Sequence, residues 1–220
     1  MDLFDDLDEP KSLALAEGAT LLKSFALSEQ AILLEDLHYI IAQAPFRHMV
    51  TPGGFTMSVA MTNCGELGWV TDKAGYRYDA LDPLTGKPWP EMPASFTALA
   101  HAAAVRAGYI GFKPDACLIN RYQTGARMSL HQDKDERDFN QPIVSVSLGV
   151  PAVFQLGGFN RSDQAMKLAL HHGDVLVWGG ESRLRYHGVL PLKAGNHPAF
   201  GEYRINLTFR KAGQFKSLQL

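Results

Sequence analysis

The chain has 220 residues, of which 46% are hydrophobic and 20% charged, so it can bury a core as one domain and does not have a disordered composition. Its two cysteines, Cys64 and Cys117, lie too far apart in sequence to suggest a disulfide framework or a cysteine-based zinc site. Its 21 basic and 23 acidic residues give a net charge of -2, which argues against strong non-specific binding to long nucleic acids.

The first residues, "MDLFDDLDEPK", are acidic and lack the basic start and apolar core of a signal peptide. No apolar run in the sequence reaches the length that spans a bilayer. We therefore expect a cytoplasmic protein with no membrane partner.

Two helices are predicted in the first half of the chain. The first covers residues 28–43, "SEQAILLEDLHYIIAQ", where Ser28 can serve as N-cap and Pro45 ends the helix. Its apolar stripe consists of Ile32, Leu33, Leu37, Ile40 and Ile41. The second helix covers residues 94–107, "ASFTALAHAAAVRA", and is closed by Gly108. Between them, Gly, Pro, Thr and aromatic residues with short alternating runs predict the small strands and loops of a lid.

From Pro114 onward the pattern changes to short strand-like segments separated by turn residues, such as "DACLINRY", "PIVSVSLGV", "AVFQLGG", "MKLALHHGDVLVWGG" and "YRINLTFR". Strands without intervening helices predict a jelly roll or sandwich, so the expected fold class is α+β. We predict one integrated domain. It has an N-terminal extension and helix over residues 1–44, a lid over residues 45–92, and a helix with the β-core over residues 93–214.

The stretch "SLHQDKDE", residues 129–136, holds a candidate metal site. In a strand, residues two apart share a face, so His131 and Asp133 can converge on one ion while Gln132 points away. His187 in "RLRYHGV" is the candidate for a third ligand. Two histidines and one carboxylate form the facial triad of non-haem Fe(II) oxygenases.

Other interpretations of these histidines stay open on the residues alone. The chain has eight histidines, so an HxD pair is a weak signal, and surface polar residues or a zinc site would also fit it. The adjacent His171 and His172 are a rival pair. Neighbouring side chains of a strand face opposite ways, so we expect a structural role for them.

The stretch "YRINLTFR" places two arginines on one face of a predicted strand. Its apolar positions are Ile205, Leu207 and Phe209, and its polar positions are Arg204, Asn206, Thr208 and Arg210. Burying two guanidinium groups is costly unless an anion compensates, and a small dicarboxylate matches the geometry of the arginine fork. An exposed edge strand with solvated arginines is the alternative. The same alternation puts Leu118, Asn120 and Tyr122 of "CLINRY" on one face, where their polar groups could hold the same ligand.

These residues resemble, in order and at compatible spacing, the AlkB family of alkylated-nucleic-acid repair dioxygenases, and its bacterial members most closely. The resemblance covers about residues 44 to 210 and is carried by "PFRHMVTPGG", "MSVAMTNCG", "GW", "NRY", "LHQDKDE", "SVSLG", "HGD", "WGGESRL", "YHG" and "RINLTFR". It implies a double-stranded β-helix that uses Fe(II), O2 and 2-oxoglutarate. It also implies that 2-oxoglutarate is converted to succinate and CO2 while an N-methyl group is hydroxylated and leaves as formaldehyde.

The resemblance also implies roles for individual residues. His131, Asp133 and His187 would be the catalytic iron ligands. The 2-oxoglutarate residues would be Leu118, Asn120, Tyr122, Arg204, Asn206 and Arg210. Among these, Arg204, Asn206 and Tyr122 would hold the distal carboxylate, and Asn120 and Arg210 would lie near the end that chelates iron.

A methyl on the pairing edge of a base cannot be reached inside a duplex, so the base must be flipped out or already single-stranded. Trp69 would stack on this base, with His131 on its opposite face. The lid residues predicted to pack around the base are Met57, Ser58 and Met61, and a purely structural role is the alternative for the two methionines. The predicted phosphate and lesion contacts are Thr51, Tyr76, Arg127, Ser129, Lys134 and Arg161.

Asp135 is the residue expected to distinguish lesions. The bases 1-methyladenine and 3-methylcytosine are cationic near neutral pH, so a nearby carboxylate would favour them over normal bases. A solvated acid that balances Lys134 is the alternative interpretation.

The expected partner is alkylated single- or double-stranded DNA, with RNA as a further candidate, bound by a monomer. Rival functions are an oxygenase of RNA, protein or a small molecule, a non-catalytic nucleic-acid-binding module, and a zinc hydrolase. The last would leave Arg204 and Arg210 without a purpose.

Overall fold

The computed structural model describes residues 11–213. The first ten residues of the predicted N-terminal extension, and the last residue of the predicted core, lie outside the described residues. Fourteen strands are present in that part of the chain: β1 (Ser12–Ala16), β2 (Ala19–Leu22), β3 (Arg47–Val50), β4 (Thr56–Gly65), β5 (Gly68–Asp72), β6 (Gly75–Asp79), β7 (Ala116–Tyr122), β8 (Met128–His131), β9 (Ile143–Gly149), β10 (Ala152–Leu156), β11 (Met166–Leu170), β12 (Val175–Trp178), β13 (His187–Val189) and β14 (Arg204–Arg210). The helices are α1 (Gln30–Gln43) and α2 (Ala94–Arg106).

The strands form a major sheet of eight strands, in the order β1-β2-β12-β9-β14-β7-β4-β3, and a minor sheet in the order β11-β10-β13-β8. Strands β5 and β6 form a separate hairpin. The paired strands of both sheets run antiparallel. Two facing antiparallel sheets with helices on one side are the α+β jelly-roll architecture that the strand pattern predicts.

Strand β14 shows why the sheets pack as they do. Its apolar residues Ile205, Leu207 and Phe209 join Phe96 of α2 and Leu33 of α1 in a core between the helices and the major sheet. Its polar residues point to the other face. There a second core fills the space between the two sheets, with Phe154 and Leu156 from the minor sheet and Leu118, Leu176 and Trp178 from the major sheet. The alternation of this strand therefore directs its arginines between the sheets.

The N-terminal part differs from the sequence-based expectation in two ways. No strand was predicted before the first helix, yet β1 and β2 extend the major sheet because β2 pairs with β12. The predicted N-cap Ser28 is wrong: the chain turns through residues 24–29, and Glu29, already in helical conformation, occupies the N-cap position of α1. Ile32 of the predicted apolar stripe is 47% exposed, whereas Leu33, Leu37 and Ile40 are buried. Helix α2 ends at Arg106, one residue earlier than predicted.

The segment predicted as a lid contributes to both parts of the fold. Strand β4 pairs with β7 from Ala60 to Gly65, so these six residues of the segment belong to the major sheet. The β5–β6 hairpin stands outside both sheets and carries Trp69 and Tyr76 opposite the edge strand β8. No helix in residues 11–213 is long and apolar enough to cross a membrane.

Candidate active site

The three predicted metal ligands meet where the minor sheet ends. Strands β8 and β13 pair so that His131 lies directly opposite His187. Asp133 follows β8, and its two carboxylate oxygens lie 3.6 Å from His131 Nε2 and 3.7 Å from His187 Nε2. One ligand atom from each residue lies within 4.8 Å of the others. The cluster therefore offers two imidazoles and one carboxylate to a single ion.

The hydrogen bonds of the histidines leave the correct nitrogen free for a metal. His131 Nδ1 lies 2.8 Å from the carbonyl oxygen of Ser129, and His187 Nδ1 lies 3.1 Å from that of Arg185. A carbonyl only accepts, so each Nδ1 carries a proton, and in the neutral form of the ring the lone pair is on Nε2. Such backbone bonds fix the orientation of metal-binding histidines. The donor set fits a non-haem Fe(II) site.

The explanation given for His131 and Asp133 from strand alternation is wrong, because β8 ends at His131 and Asp133 lies in the segment after it. That segment is held by side chains instead. Arg183 Nη1 donates to the backbone carbonyl of Asp133 at 3.0 Å, and Gln132 Nε2 donates to the carbonyl of Leu184. Gln132 thus faces the protein rather than pointing outward.

The charge of the cluster is set by Arg210. Its Nε and Nη2 both donate to Asp133 Oδ2, at 3.0 and 2.7 Å. Burial alone would raise the pKa of Asp133, but Arg210 and the two histidines lower it well below its usual range. Burial, with the neighbouring His131, lowers the pKa of His187 to about 4. At neutral pH the ligands are therefore a carboxylate and a neutral imidazole, the forms that bind metal.

A buried network that the sequence analysis missed supports this pair. Glu136 accepts a hydrogen bond from the hydroxyl of Tyr78 at 2.6 Å and from Arg183 Nη2 at 2.9 Å, and Arg210 Nε lies 3.3 Å from it. Burial raises the pKa of Tyr78 well above its usual value, so the hydroxyl remains a donor. Tyr78 belongs to β6, so this network connects the hairpin to Asp133 through Arg210.

The predicted 2-oxoglutarate residues lie on the paired strands β7 and β14. Register places Arg204 opposite Tyr122, Asn206 opposite Asn120, and Thr208 opposite Leu118. Arg204 is 1% exposed, and its guanidinium lies 4.9 Å from the centre of the Tyr122 ring. Its Nη2 donates to Ser147 Oγ at 3.1 Å, and Asn206 donates to Ser145 Oγ at 2.8 Å. The sequence did not indicate a role for these two serines of β9.

The buried polar atoms of this layer fit a small dicarboxylate. Among residues 11–213, Arg204 Nε and Nη1 and Asn120 Oδ1 are buried with no hydrogen-bond partner. An unpaired buried guanidinium costs free energy, and burial lowers the pKa of Arg204. A carboxylate that accepts from both nitrogens would remove this cost and match the geometry of the arginine fork. The residues present thus fit 2-oxoglutarate as well as iron.

A cleft of about 850 Å³ opens beside the metal cluster. It brings together every residue predicted for substrate contact: Thr51, Met57, Ser58, Met61, Trp69, Tyr76, Arg127, Ser129, Lys134, Asp135 and Arg161. His131, Asp133, Leu118 and Arg210 also line it. Asn120, Tyr122, Arg204 and Asn206 are not part of its wall and lie in the layer between the sheets. Tyr186, which the sequence analysis did not select, lines the cleft and packs against Arg161.

Trp69 and Asp135 are linked in a way the sequence did not predict. Trp69 Nε1 donates to Asp135 Oδ2 at 2.7 Å, and the Trp69 ring stacks on Tyr76 with a centroid distance of 5.8 Å. Asp135 thus orients the indole with one oxygen and has the other left for a ligand. The backbone of Trp69 is in turn held by Asn63, which exchanges two hydrogen bonds of 3.0 Å with it.

The histidines of "LHHGD" lie away from the cluster. His172 Nδ1 accepts the backbone N–H of Gly149 at 3.0 Å, and its Nε2 lies 2.7 Å from Gln30 Oε1. His171 lies 3.7 Å from Asp174. These contacts hold the end of β9 and the turn before β12 in place, so the expected structural role fits their geometry.

Known proteins are similar to this chain in sequence and in fold. The model of the 2OG-Fe(II) oxygenase superfamily matches residues 18–210. The alpha-ketoglutarate-dependent dioxygenase AlkB of Salmonella typhimurium is 61% identical over 97% of this chain and 99% of its own, and that of Escherichia coli is 60% identical with the same coverage. The solved structure of OsALKBH1 superimposes with a TM-score of 0.81 at 28% identity, over 91% of this chain and 100% of that one.

Proposed function

The chain belongs to the 2OG-Fe(II) oxygenase superfamily and, within it, to the AlkB dioxygenases, and from that premise we propose which substrates it takes and which residues act on them. It is an Fe(II)- and 2-oxoglutarate-dependent dioxygenase that oxidatively removes alkyl groups from nucleic-acid bases. Our proposal is that its substrates are 1-methyladenine and 3-methylcytosine type lesions in DNA, with RNA as a further substrate.

In the proposal, His131, Asp133 and His187 hold the iron, and Arg204 with Asn206 and Tyr122 holds the distal carboxylate of 2-oxoglutarate. When bound, the iron and 2-oxoglutarate would supply oxidising chemistry with O2 as the oxidant: one oxygen atom would enter succinate as CO2 is lost, and the other would hydroxylate the methyl carbon, which then leaves as formaldehyde. Arg210 keeps Asp133 ionised and lies near the chelating end, with Asn120. Ser145 and Ser147 orient Asn206 and Arg204 from the neighbouring strand.

The residues of the cleft bind and orient the flipped base. Trp69, braced by Tyr76 and Asp135, offers an aromatic face, and His131 closes the other side near the metal. The free oxygen of Asp135 attracts a cationic lesion and can accept a hydrogen bond from its exocyclic amine. Met57 and Met61 exclude water from the base, while Thr51, Ser129, Lys134 and Arg161 contact its sugar-phosphate backbone.

One observation carries this proposal. His131 and Asp133 belong both to the three-residue metal cluster and to the wall of a cleft large enough for a nucleotide, so a base bound there presents its edge to the metal. Position is the protein's main contribution to such a reaction.

Formaldehyde release tests the proposal. Wild-type protein supplied with Fe(II), O2 and 2-oxoglutarate would be given DNA and RNA oligonucleotides with one 1-methyladenine, and methylated peptides of similar length. We expect formaldehyde and succinate in equal amounts from the DNA, no formaldehyde from the peptides, and none from any substrate without 2-oxoglutarate. Release from the peptides alone would contradict the assigned substrate class.

A further inference from the structure

A second depression, here called the outer groove, lies next to the cleft and has a volume of about 310 Å³. It is lined by β8, by Gln155 of β10, and by Leu190 and Pro191 after β13. Arg127 and Arg161 line both the outer groove and the cleft. Strand β8 is an edge strand of the minor sheet, its residues Met128, Ser129 and Leu130 line both depressions, and one strand is about 5 Å wide. The two sites are therefore continuous along the surface.

Register in the minor sheet shows which residues lie beside Gln155, a residue that lines the outer groove. Gln155 pairs with Gly188 on one side and with Lys167 on the other, so these three residues form one row across β13, β10 and β11. Their neighbours Phe154 and Leu156 point into the core, which directs Gln155 and Lys167 to the outer face. Gly188 adds no side chain to this row, and a Cβ there would lie 2.7 Å from the carbonyl of Met128. The row is thus open and ends in an exposed lysine.

The charge and polarity of the outer groove suit a nucleotide. Two arginines stand on its rim, and none of its lining residues within the described chain is acidic. Leu190 and Pro191 provide apolar surface, and the Gln155 amide can both donate and accept hydrogen bonds. A nucleotide has an apolar base face, polar base edges and flanking phosphates. The apolar surface, the amide and the arginines of the outer groove can bind these three parts respectively. A peptide ligand would leave these cations unpaired unless it were acidic.

Because of this continuity, and resting on the nucleic-acid substrate proposed above, we propose that the outer groove binds a second nucleotide of the substrate strand. This nucleotide lies beyond the immediate neighbours of the flipped base. Arg127 and Arg161 hold the phosphates that cross β8, Leu190 and Pro191 contact the base, and Lys167 meets the next phosphate. The protein then contacts more nucleotides of the substrate strand than the cleft alone can bind.

A length series with a matched charge reversal tests the outer groove. Lys167→Glu changes by two units the charge next to Gln155, on the β11 side of the outer groove. Lys113→Glu makes the same change after α2, on the opposite side of the major sheet from the minor sheet. Each iron- and 2-oxoglutarate-loaded protein would be assayed for formaldehyde release from a trinucleotide and a nonanucleotide, each with a central 1-methyladenine. Binding of the labelled oligonucleotides would be followed in parallel, without oxygen, by fluorescence anisotropy.

We expect Lys167→Glu to lower kcat/KM and affinity for the nonanucleotide by about fivefold at low salt, and by less at high salt, because phosphate contacts are screened. The trinucleotide, which cannot reach the outer groove, should change by less than about twofold in all variants. Gln155→Glu should show the same length dependence as Lys167→Glu.

Equal behaviour of Lys167→Glu and Lys113→Glu on the nonanucleotide would overturn the assignment. An equal loss of kcat/KM on the trinucleotide and the nonanucleotide in Lys167→Glu would also overturn it, because only the nonanucleotide can reach the outer groove. Failure of the proposed function would give a different result, because wild-type protein would then release no formaldehyde from either oligonucleotide. The nucleotide site proposed for the outer groove would then be wrong as well.

Discussion

Asp133 and Arg210 form the pair on which the metal cluster depends. Two hydrogen bonds from Arg210 to one oxygen, Asp133 Oδ2, keep the carboxylate charged in a buried place where burial alone would favour its neutral form. Both residues were predicted from the sequence, because the HxD pair and the alternation of "RINLTFR" are local patterns. Their contact was not predicted, because the two residues are 77 positions apart along the chain.

Asp135 leads to the first prediction, which concerns the choice of lesion. Asp135→Asn removes the charge, while the amide oxygen can still accept the hydrogen bond from Trp69 Nε1. We expect the ratio of rates on cationic 3-methylcytosine and neutral 3-methylthymine to fall by about tenfold, because a charge-assisted contact to the base is lost. Formaldehyde release from the two oligonucleotides under identical conditions measures it.

Asp135→Ala serves as the comparison, because it removes both the charge and the bond to Trp69. It should slow both substrates, in addition to shifting their ratio, while iron binding stays intact. Unchanged relative rates in both variants would show that the charge of Asp135 does not select the lesion.

At the scale of elements, the β5–β6 hairpin and the strands that carry the metal ligands are joined through Tyr78. Its hydroxyl bonds to Glu136, which also contacts Arg210 and Arg183. None of this network could be predicted from the sequence. Tyr78 and Glu136 are 58 positions apart, and neither a tyrosine in a short hairpin strand nor an acid in a loop has a pattern that marks it as buried. "WGGESRL" was part of the family pattern, but only the fold shows what Arg183 does.

The second prediction concerns this link. Tyr78→Phe removes one hydrogen bond from the buried Glu136 and should lower the free energy of unfolding by about 2 kcal/mol. The hairpin carrying Trp69 and Tyr76 would be held less firmly, so KM for methylated oligonucleotides should rise several-fold while kcat changes little. Denaturant unfolding and steady-state kinetics measure these effects.

Tyr39→Phe is the matched control, since Tyr39 is 60% exposed on α1, and it should change neither quantity. A loss of stability in Tyr78→Phe with an unchanged KM would show that the link has no role in placing the hairpin.

The third prediction concerns His172, which contacts the end of β9. Its Nδ1 accepts the N–H of Gly149 at the end of β9, and it packs against His197 with a centroid distance of 4.3 Å. Burial, followed by His197, lowers its pKa, while Asp174 opposes the shift. The unfolded chain therefore binds the proton more readily than the folded chain. The stability from neutral His172 is complete above its unfolded pKa of about 6.5 and is lost as the pH falls below that value.

We thus expect the free energy of unfolding to decrease from pH 7 to pH 5, and the decrease to be smaller in His172→Asn, whose amide oxygen accepts at the Nδ1 position without titrating. His38→Asn, at an exposed position of α1, should follow the wild-type profile. Urea unfolding at a series of pH values measures the profiles. Identical profiles for wild type and His172→Asn would contradict the assignment of this pH dependence to His172.

At the scale of the whole molecule, the fold follows from alternation in the strands, which is why the sequence predicted it well. Strand β14 separates two cores because every second residue is apolar, and the opposite face brings Arg204 and Arg210 between the sheets. The features that the sequence did not predict depend on contacts between distant residues. Strands β1 and β2 are short, and their place in the sheet depends on pairing with the distant β12. The convergence of His131 and Asp133 depends on Arg183, not on a continuous strand.

Side chains of the two sheets together bind Fe(II) and 2-oxoglutarate at one site, and this is the central claim. Anaerobic titration of the purified protein with Fe(II) and 2-oxoglutarate tests this directly through the metal-to-ligand absorption band of the chelate. We expect the band in wild type, a requirement for much more 2-oxoglutarate in Arg204→Lys, and no band in folded Asp133→Ala. Absence of the band in folded wild-type protein, or an unchanged band in Asp133→Ala, would contradict the account.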